Sequence, residues 1–167
     1  MKKLCIFLCC VLILHMLAAC GTKAEDFKVP VRYYFSNKEI AYNTKNGVIQ
    51  DEIREGADLH GNLTAYLHSY LRGPISTNFI RIIPSDVYLV SCNVNDETAE
   101  IVFSNQFSKL TGLELVSACS ALMLSVNAFT GVDTICISTK NALIDEKDVF
   151  VITMDDIILT DHVAAKE

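Results

Sequence analysis

From Leu113 to Phe129 the chain carries a single charge, Glu114. Drawn as a helix, this stretch places Leu115, Val116, Cys119, Leu122, Met123, Leu124 and Val126 around most of its circumference. Packing on one sheet needs an apolar stripe only about 100° wide. The helix must therefore be covered on more than one side, by its own domain or by a neighbour. The expected cover is the C-terminal segment Val149–Leu159, with a second subunit as the alternative. Thr111-Gly112-Leu113-Glu114 has the spacing of a capping box, in which Thr111 accepts from a free amide and Glu114 reaches back to the cap residue.

The remaining elements are those that could surround such a helix. Val29-Pro30-Val31-Arg32-Tyr33-Tyr34-Phe35 is β-branched and aromatic and reads as a strand. Ile40-Ala41-Tyr42 and Gly47-Val48-Ile49 about Asn46-Gly47 suggest a weak hairpin. A first helix is expected over Ala57–Arg72, where Leu59, Leu63, Tyr66, Leu67, Tyr70 and Leu71 form one stripe and His60, Thr64 and His68 face solvent. Gly73 supplies a left-handed C-terminal cap and Pro74 forbids continuation.

Asp86 to Val94 alternates Val87, Leu89 and Ser91 with Tyr88, Val90, Cys92 and Val94. Ala99 to Phe103 returns after a short polar turn as its antiparallel partner, both strands being expected in the core. Thr134–Ser138 is a further strand, and Val149–Ile152 with Ile157–Leu159 an appended β element between acidic turns. No internal repeat, low-complexity tract or linker interrupts the sequence, so one domain is expected.

The N-terminus opens with Lys2 and Lys3, continues apolar from Leu4 to Ala19, and closes on small residues, the layout of a signal peptide over residues 1–19. A transmembrane helix over the same run would reach roughly 25 Å at about 1.5 Å per residue, short of a bilayer core of ~30 Å. Leu17-Ala18-Ala19-Cys20 decides for processing, because it resembles the lipobox of bacterial lipoproteins, whose cysteine is lipidated before cleavage. Cys20 is then the anchored first residue and 20–28 a short tether to the membrane. Without Lys2 and Lys3, the 14 basic residues become 12 against 20 acidic ones, a net charge of −8, and nucleic acid is not an expected partner.

Of seven cysteines, Cys5, Cys9 and Cys10 leave with the signal peptide and Cys20 is lipidated. Cys92, Cys119 and Cys136 remain, an odd set in apolar surroundings that suits core packing. A Cys92–Cys136 bridge is the other reading.

Catalysis needs a nucleophile or acid held near a base. The sequence offers no GxSxG elbow, Gly-rich phosphate loop or HExxH pair. His60 and His68 would stand roughly 12 Å apart on one helix, too far to share a metal. Asp155, Asp156, Asp161 and His162 lack the ordered oxygens and glycine of a calcium loop. No catalytic residue, metal or cofactor is expected. Asn62-Leu63-Thr64 matches a glycosylation sequon but falls on a helix expected in a bacterial-type lipoprotein.

Leu67-His68-Ser69-Tyr70-Leu71-Arg72-Gly73-Pro74, then Ile83-Pro84 and Leu89, then Ala99-Glu100-Ile101-Val102-Phe103-Ser104-Asn105-Gln106-Phe107 resemble, in order and spacing, the GerM domain of sporulation and spore-germination lipoproteins. That pattern continues with a long apolar helix and a last strand, here Leu113–Phe129 and Thr134–Ser138. Val102 departs from it, standing where the family usually has Asp. The resemblance covers about Val31 to Lys140.

It implies a small α+β module, two helices on a mostly antiparallel, mixed sheet, similar to ring-building motifs. In that module Gly73, Pro74, Pro84, Thr111 and Glu114 are structural. The division expected is 1–19 signal peptide, 20–28 lipidated tether, 29–140 GerM-like domain and 141–167 C-terminal β extension with an acidic tail. The implied role is assembly: a lipid-anchored domain on the extracytoplasmic face of the cell membrane, joining envelope proteins or copies of itself. The alternatives are a wall-polymer hydrolase using Glu55 and Asp58 before the first helix, and a small-ligand-binding lipoprotein.

Overall fold

Val31, Tyr33 and Phe35 are buried while Arg32 is exposed, so the first described segment is a strand with one apolar face. The computed structural model describes residues 29–38, 48–55, 59 and 61–157. Within them run β1 (Pro30–Asn37), β2 (Ile49–Glu55), α1 (Leu63–Leu71), β3 (Phe79–Ile80), β4 (Leu89–Val94) and β5 (Thr98–Phe103). After a 3-10 turn (Asn105–Lys109) come α2 (Gly112–Thr130), β6 (Thr134–Thr139), β7 (Val149–Thr153) and a last 3-10 turn (Met154–Asp156).

The strands divide into two sheets, β2-β1-β3 and β4-β5-β6-β7. All neighbours are antiparallel except β5 and β6, which pair in parallel across α2. Parallel neighbours need a long crossover, and α2 provides it. The described residues thus form an α+β domain with two helices and mixed sheets, as the resemblance implied.

The long helix is the centre of the core. Leu115, Ala118, Cys119, Leu122, Met123 and Val126 are buried in one continuous cluster with Tyr33, Ile101, Phe103, Ile135 and Ile137. It is long and apolar enough to cross a membrane, but its closest packing is against β1, with further contacts to β6, β7 and α1. Cover by the same chain is what the structure has, and β1 supplies more of it than the expected C-terminal segment. Leu113, 80% exposed, and Val116 are the large apolar side chains of α2 left to solvent.

β1 also explains a polar residue in this apolar helix. One edge of β1 pairs with β2, and β3 covers the other only at Ser36 and Asn37. Upstream, the Tyr34 N–H donates to Ser125 Oγ at 2.9 Å. The Tyr66 hydroxyl lies 2.7 Å from the Arg32 carbonyl and 2.8 Å from that of Ser125. Ser125 is fully buried and donates its own proton to Ala121 O. A strand edge that would otherwise expose unpaired groups is closed by side chains of both helices.

Several boundaries differ from expectation. α1 begins at Leu63, not Ala57, because the Asn62 side chain accepts from the Ala65 N–H at 3.1 Å and caps it there. In β4 a bulge between Leu89 and Ser91 changes the phase of the alternation. Leu89 and Cys92 therefore lie opposite the buried Phe103 and Ile101, while Ser91 faces outward, and most of β4 is exposed rather than buried. β7 lies inside the segment expected as an extension and pairs with β6 as the fourth strand of its sheet. The expected hairpin about Asn46-Gly47 falls mostly outside the described residues, as does Ile158-Leu159.

Candidate functional site

The densest polar construction links β2 to the end of α1. Glu52 and Arg54 are two residues apart on one strand and share its inner face, where Glu52 pairs across from Tyr33. Glu52, 8% exposed, accepts from the Ser76 N–H at 2.7 Å, from the Ile75 N–H at 3.0 Å and from Arg54 Nε at 2.5 Å. The Arg54 guanidinium donates to the Gly73 carbonyl at 2.8 Å and reaches the Ser69 carbonyl at 3.5 Å. It also lies over the rings of Tyr33, at 4.5 Å, and Phe35, at 5.3 Å.

Arg54 is thus a cation at the carbonyl end of α1, where the helix dipole favours it. Burial alone would raise the Glu52 pKa, but the amides of Ser76 and Ile75 and the Arg54 cation hold it below the ordinary value. This pair is a clamp built into the fold.

The clamp closes on the Gly73-Pro74 stop. Gly73 has φ +84 and donates to the Tyr70 carbonyl at 2.9 Å. A Cβ there would come within 2.7 Å of Arg81 Nε, whose guanidinium bonds the Arg72 carbonyl. Pro84 accepts from the Val87 N–H in the turn that leads into β4. Thr111 stands at the N-cap of α2 but makes no side-chain capping bond, and Glu114 is exposed. The cause is Gly112, whose φ of +53 takes the first turn away from regular helix and the Thr111 hydroxyl away from the amides it would cap.

Among the described residues the candidates for chemistry are not brought together. Glu55 is exposed at the end of β2, and Asp58 and His60 lie outside the described residues, as do Cys20, Asp161 and His162. His68 is exposed on α1. Asp156 accepts from both the N–H and the hydroxyl of Thr153, each at 2.8 Å, bonds that lower its pKa. Among the described residues no group of His, Cys, Asp and Glu could hold a metal ion.

Cys92, Cys119 and Cys136 are free thiols. Cys92 is opposite Ile101 on the inner face of its sheet, whereas Cys136 is opposite Glu100 on the outer face. That placement rules out a bridge between them. Burial pushes the Cys119 thiol up to about 12, so it is an inert core group.

Among the described residues no helix covers the outer face of the four-stranded sheet. Across it run Ser91, Val102, Ser138 and Val149 in one row and Asn93, Glu100, Cys136 and Val151 in the next. Glu100 is the one charge in these two rows. Val102 is a half-buried apolar residue at the middle of this face. The inner clamp was missed in the sequence because residues 50–55 show too little apolar alternation to mark a strand. Its period-2 placement of opposite charges at 52 and 54 was the available signal.

No protein-family profile matches the chain, and no curated protein matches it. Solved structures do. The first GerMN domain of the sporulation protein GerM from Bacillus subtilis matches with a TM-score of 0.52 at 17% identity, over 72% of this chain and 91% of that one. The tandem GerMN domains of the same protein match with a TM-score of 0.54 at 14% identity, over 74% of this chain and 45% of that one. A candidate lipoprotein from Clostridium perfringens matches with a TM-score of 0.47 at 15% identity, over 81% of this chain and 95% of that one. The chain therefore has a GerM-like fold, that of one GerMN domain.

Proposed function

We propose that this protein is a lipid-anchored envelope component whose GerM-like domain works by association, joining an assembly of the kind that sporulation or germination requires. The reading rests on how the polar groups are used. Glu52, Arg54, Ser125 and Tyr66 are each engaged in closing the fold, on a backbone amide, a helix end or a strand edge. None of them is paired with a base or nucleophile in the way a reaction would need. The side chains on the open sheet face are mostly valine and serine with Glu100 the one charge in its two rows, a surface suited to contact.

Cys20 behind its lipobox supports the anchor, and the fold shared with a sporulation protein's domain supports the setting. Anchoring by two acyl chains, at ~0.8 kcal/mol per buried methylene, holds a protein at a membrane without help from its folded part. The test is to cross-link the protein in its own membrane and identify what it captures. Recovery of envelope proteins or of a second copy is the expected result. A domain that captures nothing and cleaves a wall fragment would overturn the proposal in favour of a hydrolase.

A further inference from the structure

The core contacts locate the point at which the tether joins the fold. The chain leaves β5 at Phe103 and re-enters the sheet at Thr134, opposite Thr98, so α2 runs back from one end of the sheet to the other. Tyr33 of β1 stacks on Tyr66, which stacks on Phe129 near the close of α2. Phe35, further along β1, stacks on Tyr70, which interacts with Cys119 nearer the start of α2. β1 therefore runs against α2. Pro30, where the segment from Cys20 enters the fold, lies at the end of the domain where α2 finishes.

That end is acidic. Glu55 pairs with Pro30 itself. Asp96 and Glu97 lie in the turn before Thr98, Asp133 precedes Thr134, and Asp155 and Asp156 follow Thr153, three strands paired at that level. All six carboxylates are exposed, and the carbonyl end of α2 adds partial negative charge beside them. Among the described residues the cations at this level are Arg32 and Arg54, and they turn back along the strands to Asp51 and Glu52. The opposite end instead mixes Lys109, Lys140 and Lys147 with Asp86, Asp145 and Glu146.

We propose that the domain stands on its membrane by this end: the start of β1 and the close of α2 face the bilayer, held off it by like charge, while the start of α2 and the β6–β7 connection face away. This rests on the anchor reading above and adds the direction in which the domain presents its surfaces. The length of the tether forbids the reverse. Gly21 to Lys28 spans at most about 29 Å fully extended, and α2 is about 28 Å long at 1.5 Å per residue. An inverted domain would spend the whole tether running alongside itself.

Lys23 and Lys28 balance Glu25 and Asp26, so the tether carries no net charge and the charge nearest the bilayer is that of the domain. An anionic surface repels it over about a Debye length, ~8 Å at physiological ionic strength, and draws the tether out. The strands of the larger sheet then run along the membrane normal. Its outer face looks sideways, toward neighbours on the same membrane.

The test measures height above the bilayer. The lipidated chain with Cys92→Ser and Cys136→Ser carries one fluorescent donor, at Val94→Cys on the acidic end or at Leu143→Cys on the other, positions 40% and 53% exposed. Cys119 is buried and takes no label. The vesicles are phosphatidylcholine, alone or in equal parts with phosphatidylglycerol, with an energy acceptor on the headgroups. A standing domain separates the labels by most of the length of α2, so Val94→Cys should transfer at least about twice as efficiently as Leu143→Cys. On phosphatidylglycerol in ~0.01 M salt, where the Debye length is ~30 Å, transfer from both should fall, and about 1 M salt should restore it. Asp96→Asn, Glu97→Gln and Asp155→Asn together should remove most of that fall.

Equal transfer from the two labels, or more from Leu143→Cys, overturns the proposal. So does a fall of undiminished size in the triple variant. Protein purified from its membrane that does not float with the vesicles removes the anchor reading and this proposal with it. Protein that floats with its two labels level leaves the anchor standing and defeats this proposal alone.

Discussion

Replacing Glu52 by Gln tests whether the clamp between β2 and the α1 stop stabilises the domain. The carboxylate accepts from Ser76 N–H, Ile75 N–H and Arg54 Nε, and bonds to a charged group contribute about 1.5–3 kcal/mol each. Gln keeps one acceptor oxygen, so Ser76 retains its bond. Its amide nitrogen then points a donor at Arg54 or Ile75, which are donors themselves. The expected cost of Glu52→Gln is about 2–3 kcal/mol at neutral pH.

Arg54→Met should cost about 3 kcal/mol or more, because it leaves a buried carboxylate without its cation. The double variant should cost less than the sum. Urea unfolding measures all three, with the midpoint moving and the slope unchanged.

The pH dependence carries the sign. The folded Glu52 pKa is lowered from 4.5, so its contribution is fully present above that value and is lost as pH falls through the lower folded pKa. The gap between parent and Glu52→Gln should therefore narrow below pH 4.5 and stay constant above it. A gap that does not change across that window, or a cost under about 0.5 kcal/mol, the ordinary size of a surface change, would refute the clamp.

Gly73→Val should destabilise by about 2 kcal/mol, from the left-handed backbone and the displaced Arg81 guanidinium, read by the same urea midpoints. Thr111→Ala should change stability by less than about 0.5 kcal/mol, since its hydroxyl makes no capping bond; a loss near 1 kcal/mol would show that the cap forms. Asp145 and Glu146 hold φ of +48 and +65 in the tight turn between Ile144 and Lys147, where glycine belongs. Glu146→Gly should raise Tm by a few degrees, about 1 kcal/mol of relieved strain less the extra freedom of the unfolded chain. Cys20→Ser should abolish incorporation of a labelled fatty acid; label retained on that variant would disprove the anchor site.

What the sequence disclosed was local and periodic. The uncharged Leu113–Phe129 run demanded cover on several sides, and Gly73-Pro74 marked where α1 stops. The segments Ala99–Phe103 and Thr134–Ser138 both emerged as strands, and the order of motifs pointed to the GerM-like fold. What it hid depended on partners far along the chain. Nothing near Ser125 says that its hydroxyl meets the Tyr34 amide, and nothing near Glu52 says that Ser76 will turn an amide toward it.

The charged run Asp51–Glu55 carries too few apolar residues to mark a strand, and only Glu55, with Asp58, stood out as a candidate acid. The Val90 bulge defeated a simple alternation in β4, since one extra residue exchanges the faces of all that follow. The Thr111 box failed for a similar reason, a glycine taking a conformation that residue spacing does not encode.

The seal on β1 sets an order of events in biogenesis. Tyr34 and Ser125 are 91 residues apart, and a chain is delivered N-terminus first. While β1 and β2 are already out and α2 is not, that edge lies open with its amides unpaired. The interval between the two is the period in which this protein most needs a chaperone, and slowing delivery between residues 60 and 125 should lengthen it. Aggregation during expression would then track the pace of translation through that stretch more closely than it tracks the stability of the finished domain.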